Sequence, residues 1–269
     1  MTTIAKKFSE LKEKGERALI GFIMVGDPDA ELSIEIANAL IKGGVDILEL
    51  GLPFSDPIAD GPRIQKASER ALNKGMNPDL YFKTVKKISS VVPKVCLSYY
   101  NLIFRRGLER FVKDCKLAGI SGIIVPDLPP EEAEPLLRAC KSNDVDLIFL
   151  VSPVTSATRI KEISAISSGF IYVVSLLGVT GEREKLSKEL AEVVSRVKAN
   201  TSLPVCVGFG VSKPEHVREI LAMGADGVIV GSAFIRIIEE NLENKEIMLE
   251  KIEQFARSLK SGTLAANGQ

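Results

Sequence analysis

Three segments of this chain share one shape, and that shape narrows the fold more than any other feature. Gly44 opens the run Val45-Asp46-Ile47-Leu48-Glu49-Leu50-Gly51. Gly119 opens Ile120-Ser121-Gly122-Ile123-Ile124-Val125-Pro126, and Gly224 opens Ala225-Asp226-Gly227-Val228-Ile229-Val230-Gly231. Each reads as a helix-ending glycine followed by a short buried strand. Eight β-rich runs occur in all: residues 18–25, 45–50, 94–100, 122–125, 146–151, 170–175, 204–208 and 227–230. They are mostly continuous Val/Ile/Leu runs rather than alternating ones, the mark of strands covered on both faces.

Helical patterns lie between them. Leu32, Ile36, Ala39 and Leu40 share one face, as do Leu108, Phe111, Val112 and Cys115. Ala133, Leu136, Leu137 and Cys140 make a third such face, and Leu190, Val193, Val194 and Val197 a fourth. Asn77-Pro78 reads as a helix start. A chain of 269 residues suits two ordinary domains or one α/β barrel. Eight strands alternating with helices, without a linker, point to a single (β/α)8 barrel over residues 1–269. An extra amphipathic helix (1–15) precedes it, and residues 261–269 read as a frayed tail. A doubly wound open sheet is the structural alternative, but no Gly-x-Gly-x-x-Gly follows the first strand.

The bulk properties exclude several classes. Basic and acidic residues balance at 35 each, with both signs interspersed, which gives no reason to expect nucleic acid or an anionic membrane as partner. No apolar run reaches the roughly 18 residues that a bilayer span needs, and the N-terminus lacks the apolar core of a signal peptide. Cys96, Cys115, Cys140 and Cys206 form no Cys-x-x-Cys pair and read as reduced, buried thiols of a cytosolic protein. The single histidine, His216, follows Ser212-Lys213-Pro214-Glu215, a capping-box helix start. One histidine and scattered cysteines cannot supply a catalytic zinc site, so no metal is expected.

Aligned on the leading glycine, Glu49 falls where the other two segments carry Ile124 and Ile229. A carboxylate thus replaces an isoleucine near the C-terminal end of a core strand. An unpaired charge there is costly, so it either neutralises with a raised pKa or has a job. Two connections are longer than a barrel needs: residues 51–62 after the second strand and 176–184 after the sixth. Both leave strands at the C-terminal ends, where barrel active sites sit. Rich in Gly and Pro with few large apolar anchors, both are expected to be mobile without ligand. Asp60 closes the first of them. It would set a second carboxylate over the mouth, although Ala-Asp-Gly-Pro also makes an ordinary turn. Glu49 in its apolar strand could shuttle protons, while Asp60 stays ionised and holds a developing positive charge. Gly208-Phe209-Gly210 and Gly231-Ser232 follow the seventh and eighth strands, where barrels bind phosphate; ordinary turns with Ser232 as a helix cap are the alternative. No lysine ends a strand, since Lys94 begins the third, so a Schiff-base mechanism lacks its nucleophile.

These motifs carry a resemblance. The stretch Glu49-Leu50-Gly51-Leu52-Pro53-Phe54-Ser55-Asp56-Pro57-Ile58-Ala59-Asp60-Gly61-Pro62 closely resembles the signature of the tryptophan synthase α subunit family. Tyr99-Tyr100-Asn101-Leu102, Pro126-Asp127-Leu128-Pro129 and Gly178-Val179-Thr180-Gly181 resemble its third-strand end, fourth-strand end and mobile sixth loop. The resemblance implies cleavage of indole-3-glycerol phosphate to indole and glyceraldehyde 3-phosphate. It carries Glu49 over as the proton-transfer group and Asp60 as the group holding the indole nitrogen. Phe22, Leu97 and Ile124 would surround the indole, Tyr172 would lie near the glycerol, and Thr180 would pack on Asp60. Gly181, Gly208, Phe209, Gly210, Gly231 and Ser232 would hold the phosphate. Pro53 and Asp56 would face a pyridoxal-phosphate-dependent β subunit in an α2β2 complex, with no cofactor in this subunit. Two positions depart from the family's pattern: Leu176, where many members have arginine, and Ser98, where many have methionine. A phosphosugar isomerase barrel of the histidine-biosynthesis type would share the phosphate turns, but would want aspartates ending strands 1 and 5. A non-catalytic barrel kept as a partner-binding subunit would not need Glu49 and Asp60.

Overall fold

The computed structural model describes residues 2–174, 183–208 and 210–264. In chain order the elements are α1 (Thr3–Glu13), β1 (Ala18–Met24), α2 (Ala30–Lys42), β2 (Ile47–Gly51), α3 (Pro62–Asn73), α4 (Pro78–Lys87), β3 (Lys94–Leu97), α5 (Tyr100–Arg106), α6 (Leu108–Leu117) and β4 (Ile120–Ile124). There follow α7 (Glu134–Ser142), β5 (Asp146–Ile148), β6 (Leu150–Val151), α8 (Ala157–Ile166), β7 (Ile171–Val174), α9 (Arg183–Lys198), β8 (Val205–Gly208), α10 (Pro214–Ala222), β9 (Gly227–Val230), α11 (Ser232–Glu240) and α12 (Lys245–Ser261).

The strands form one parallel sheet in the order β5-β4-β3-β2-β1-β9-β8-β7-β6. Its two edges, β5 and β6, are consecutive in the chain and separated only by Phe149. The edges therefore meet, and the sheet closes into an eight-stranded barrel whose fifth strand is interrupted. Ser168 N–H to Leu147 O (3.0 Å) and Tyr172 N–H to Phe149 O (3.1 Å) stitch that seam. Closure leaves no open edge and buries each strand on both faces, which is why the strands carry unbroken apolar runs; β1 is buried at all seven positions.

The repeated glycine unit has a clear cause. Gly44, Gly119 and Gly224 have φ of +96°, +77° and +98°, the left-handed conformation that turns a helix end into a strand. Two of the three units add a feature that the alignment did not reveal. Asp46 accepts Leu19 N–H at 2.8 Å and Asp226 accepts Val205 N–H at 2.8 Å, so each ties its strand entry to the neighbouring strand. Lysines from outer helices, Lys260 and Lys198, pair with these carboxylates.

Side chains alternate inward and outward along the strands. The inward set makes a core of its own that includes Ile20, Ile47, Val95, Ile124, Ile148, Phe170 and Ile229. Ile4, Phe8 and Leu11 of α1 belong to the same cluster, so α1 plugs the N-terminal end of the barrel and leaves the C-terminal end open. Outside, the apolar helix faces expected from periodicity are buried against the sheet, as with Leu32, Ile36, Ala39 and Leu40 of α2. Asn77 caps α4, its side chain accepting from Asp79 N–H and Leu80 N–H.

Several boundaries differ from the sequence reading. β3 stops at Leu97 because Tyr99 already caps α5. The capping box before α10 is not made: Lys213 is the N-cap, without a side-chain bond, and Ser212 N–H donates to His216 Nδ1 at 3.3 Å. The chain is also not frayed from residue 261. Thr263 is buried and Leu264 bridges to Glu16, so the end of α12 is fastened beside β1. Residues 265–269 lie outside the described residues. Among the described residues no helix is long and apolar enough to cross a membrane.

Candidate active site

A cavity of about 390 Å³ opens at the C-terminal ends of the strands. Its walls come from nearly every part of the barrel: Phe22 of β1, Glu49 of β2, Leu97 of β3, Leu150 of β6, Tyr172 and Val174 of β7, Gly208 of β8 and Ile229 of β9. The connection after β2 contributes Asp60, and the turns after β8 and β9 contribute Gly210, Gly231 and Ser232. Inward-facing positions carry these residues together from parts of the sequence far apart.

Glu49 sits between Phe22 and Val95 in the strand register and is 1% exposed. Among the described residues nothing hydrogen-bonds its buried Oε2. Burial pushes its carboxyl up to about 8, and the charge on Asp60 adds to the shift. Asp60 is half-buried, and burial lifts it to about 6 against the lowering effect of a hydrogen bond from Tyr99. Two acids in one cavity thus titrate on either side of neutrality, the spread that acid–base work requires. Near pH 7 the cavity holds a protonated Glu49 and an ionised Asp60. The Tyr172 phenol is held well above its usual range by burial, with the two carboxylates adding to it, so it stays a neutral donor.

The loop after β2 is tied to the barrel at both ends. Ser68 of α3 donates to Phe54 O and accepts Phe54 N–H, both at 2.9 Å, and the Phe54 ring stacks on Tyr99 with centroids 5.2 Å apart. Tyr99 Oη accepts Ala59 N–H at 3.0 Å. One aromatic anchor and one phenol thus hold both ends of the loop. The connection after β7, with Thr180, Gly181 and Leu176, lies outside the described residues, as does Phe209.

On the β9 side of the mouth, α11 begins at Ser232. Gly231 is its N-cap, without a side-chain bond, and its first turn has no acidic residue. The first backbone N–H groups of this helix are therefore offered to the cavity, an anion-favouring arrangement. Ser232 is the first helical residue rather than the cap. The glycines also make room. A Cβ on Gly231 would come within 3.1 Å of Phe22, and one on Gly208 within 2.6 Å of Tyr172.

A family model described as tryptophan synthase alpha chain matches residues 8–264. The chain belongs to the tryptophan synthase alpha chain family. The tryptophan synthase alpha chain of Methanosarcina mazei is 53% identical over 264 residues, 98% of this chain and 95% of that one. That of Methanocaldococcus jannaschii is 54% identical over 252 residues, 92% of this chain and 89% of that one. The crystal structure of M. tuberculosis tryptophan synthase in its aminoacrylate-bound form superposes with a TM-score of 0.88 at 34% identity, covering 98% of this chain and all of that one.

Against the family's expected residues, Phe22, Leu97 and Tyr172 line the cavity, while Ile124 does not. Ile124 is fully buried in the inward cluster with Val95 and Ile148, although it pairs in register with Leu97. The inward side chains packed around it keep it from the open space. Pro53 is buried within the chain itself, whereas Asp56 is exposed. Ser98 is fully buried behind β3, its hydroxyl donating to Tyr99 O at 3.3 Å. Sequence reasoning left out Leu150, Val174 and Arg63 from the wall; only the inward parity of the first two and the place of Arg63 in the first turn of α3 could have flagged them. Asp27, which an isomerase reading would need at the mouth, is instead gripped by Arg70, with Nε to Oδ1 at 2.7 Å and Nη2 to Oδ2 at 2.9 Å. A second interior carboxylate, Asp146, lies at the far end of the barrel, where Thr2 and Ser168 hydrogen-bond it. Among the described residues no group of three or more His, Cys, Asp or Glu could hold a metal ion.

Proposed function

We propose that the cavity carries out the α reaction of tryptophan synthase, the retro-aldol cleavage of indole-3-glycerol phosphate to indole and glyceraldehyde 3-phosphate, with Glu49 and Asp60 as the catalytic pair. The observation that carries this reading is the buried, elevated carboxyl of Glu49, one oxygen without a hydrogen-bond partner, sharing one cavity with Asp60. Protonated Glu49 donates to indole C3, and the positive charge that appears on the ring nitrogen is held by ionised Asp60. The Glu49 carboxylate so formed then takes the proton of the glycerol hydroxyl next to the scissile bond. The carbonyl of glyceraldehyde 3-phosphate forms, the carbon–carbon bond breaks, and its electron pair returns to the ring to give neutral indole. Glu49 ends as it began, protonated. The α reaction needs no cofactor; pyridoxal phosphate belongs to the β subunit.

Phe22 and Leu97 supply the flat apolar walls for the indole, with Ile124 packed in the inward core and Tyr172 beside the glycerol. The phosphate is read onto Gly208, Gly210, Gly231 and the N–H groups opening α11 at Ser232; the family resemblance assigns Gly181 and Phe209 to the same phosphate and Thr180 to Asp60. The β subunit is the partner, in an α2β2 complex of the cytoplasm. The rim around the mouth supports this: Asp56 is exposed beside Ile58, which is 84% exposed, and Phe104 of α5 and Val154 after β6 are 65% and 83% exposed. Apolar side chains left in water around one opening mark an interaction surface. Buried Pro53 shapes that loop from within.

Purified protein incubated with indole-3-glycerol phosphate, alone and with a β subunit, tests the reading. Indole should appear with wild type and be lost in Asp60→Asn. No indole from wild type in either condition would overturn it.

A further inference from the structure

Arg63 is the only cationic side chain among the described residues that line the cavity. It stands in the first turn of α3, shortly after Asp60. A helix dipole disfavours a cation at that end. Gly61 caps α3 without a side-chain bond, and no acidic residue in the turn offsets the charge. Local helix chemistry therefore gives no reason for an arginine here.

Its partner comes from another helix. Arg63 Nε donates to Glu239 Oε2 of α11 at 3.3 Å. Glu239 Oε1 also lies 3.7 Å from Arg70 Nη1, and Arg70 in turn grips Asp27. Two guanidinium groups and two carboxylates thus make one cluster that is neutral as a whole. Of its members only Arg63 lines the cavity, so the cluster turns its positive end to the mouth. Among the described residues the Nη atoms of Arg63 make no hydrogen bond, and its side chain is 44% exposed. An ion pair this exposed contributes little to stability, and it leaves most of the guanidinium donors for another acceptor.

The substrate's phosphate monoester is close to a dianion at neutral pH, and an ionised Asp60 at the same mouth repels it. Resting on the reading of this cavity as the site for indole-3-glycerol phosphate, we propose that Arg63 is the guide for the phosphate: a rim cation that draws the dianion past Asp60 towards the turns after β8 and β9, with Glu239 as the counter-ion that tempers it. α3 packs on α11, whose first N–H groups are the receptor, so guide and receptor share one wall. Attraction of this kind acts without a contact and is screened by salt.

The test uses two ligands that divide the substrate. Glycerol 3-phosphate carries the phosphate without the ring, and indole the ring without the phosphate. Calorimetry of wild type, Arg63→Ala and Glu239→Gln at about 20 mM and about 500 mM salt separates charge from shape. Arg63→Ala should weaken glycerol 3-phosphate about fivefold at the lower salt and less than about twofold at the higher, and leave indole unchanged. Glu239→Gln leaves the cluster with a net positive charge, so it should bind glycerol 3-phosphate more tightly and indole as before. In the indole assay Arg63→Ala should raise KM and spare kcat, and Arg63→Lys should restore most of the loss. Equal losses for both ligands in Arg63→Ala, a loss that ignores salt, or weaker phosphate binding in Glu239→Gln would each overturn the proposal. Wild type that binds both ligands but releases no indole would overturn the catalytic reading, while the role of Arg63 is still decided by the binding measurements.

Discussion

Replacing Glu49 with glutamine separates what the carboxyl does for chemistry from what it costs the fold. In wild type the carboxyl ionises only near 8, against an ordinary 4.5. Between those values the folded protein holds a proton that the unfolded chain has released. Stability falls with rising pH wherever the unfolded state binds fewer protons, so the Glu49 penalty is absent below the unfolded pKa, grows through the interval and levels off above the folded one. At about 1.4 kcal/mol per unit, wild type should lose on the order of 4 kcal/mol relative to the non-titrating variant between pH 5 and pH 9. Desolvating the glutamine amide costs the same at both pH values and cancels in that difference. At roughly 2–4 °C per kcal/mol for a chain of this size, the variant's melting temperature should gain about 10 °C on wild type over that range. Urea unfolding followed by circular dichroism at pH 5, 7 and 9 measures the difference directly. Parallel stability curves for the two proteins would mean that Glu49 titrates normally and that its burial has no charge consequence. Indole release in the same variant should fall by about a thousandfold, within the span of a lost acid–base group; activity within about tenfold of wild type would refute the proton-transfer role.

Three further outcomes follow from the same geometry. The pH profile of kcat/KM should be bell-shaped, falling below about 6 as Asp60 takes up a proton and above about 8 as Glu49 loses one. The limbs belong to the interacting pair, and a flat profile over that range would contradict the assignment. Gly231→Val should raise KM about tenfold with a smaller effect on kcat, because the new side chain meets Phe22 and the anion-binding turn; a sulfate-soaked crystal with no anion near Gly210 and Ser232 would count against the phosphate site. Asp56→Ala should leave basal indole release nearly unchanged and reduce its activation by the β subunit, since Asp56 is exposed at the rim and outside the cavity wall. Equal activation of variant and wild type, measured at saturating β subunit, would remove this loop from the coupling.

The barrel was legible because its rules are local and repetitive. Continuous apolar runs, helix stripes at 3.6-residue spacing and glycines at helix ends each need only a few neighbouring residues, and the recurrence of one unit at Gly44, Gly119 and Gly224 made closure the economical reading. Glu49 was legible for the same reason: an isoleucine position that carries a charge is anomalous without any coordinates. The interruption at Phe149 and the unmade capping box at Ser212 were not legible, since each depends on what the neighbouring strand or helix already satisfies.

The sequence by itself determined that the strands are covered on both faces, that two carboxylates fall near one mouth, and that glycines follow the last two strands. Only the tertiary structure decided that Ile124 is packed into the inward core without touching the cavity, that Asp27 is taken by Arg70, and that the β2 loop is anchored by Phe54 and Tyr99. Strand periodicity tells which way a side chain points but not how far up the barrel it stands. Height depends on the stagger between strands, and hydrogen-bond partners such as Tyr99 and Ala59, 40 positions apart, meet only when the barrel closes.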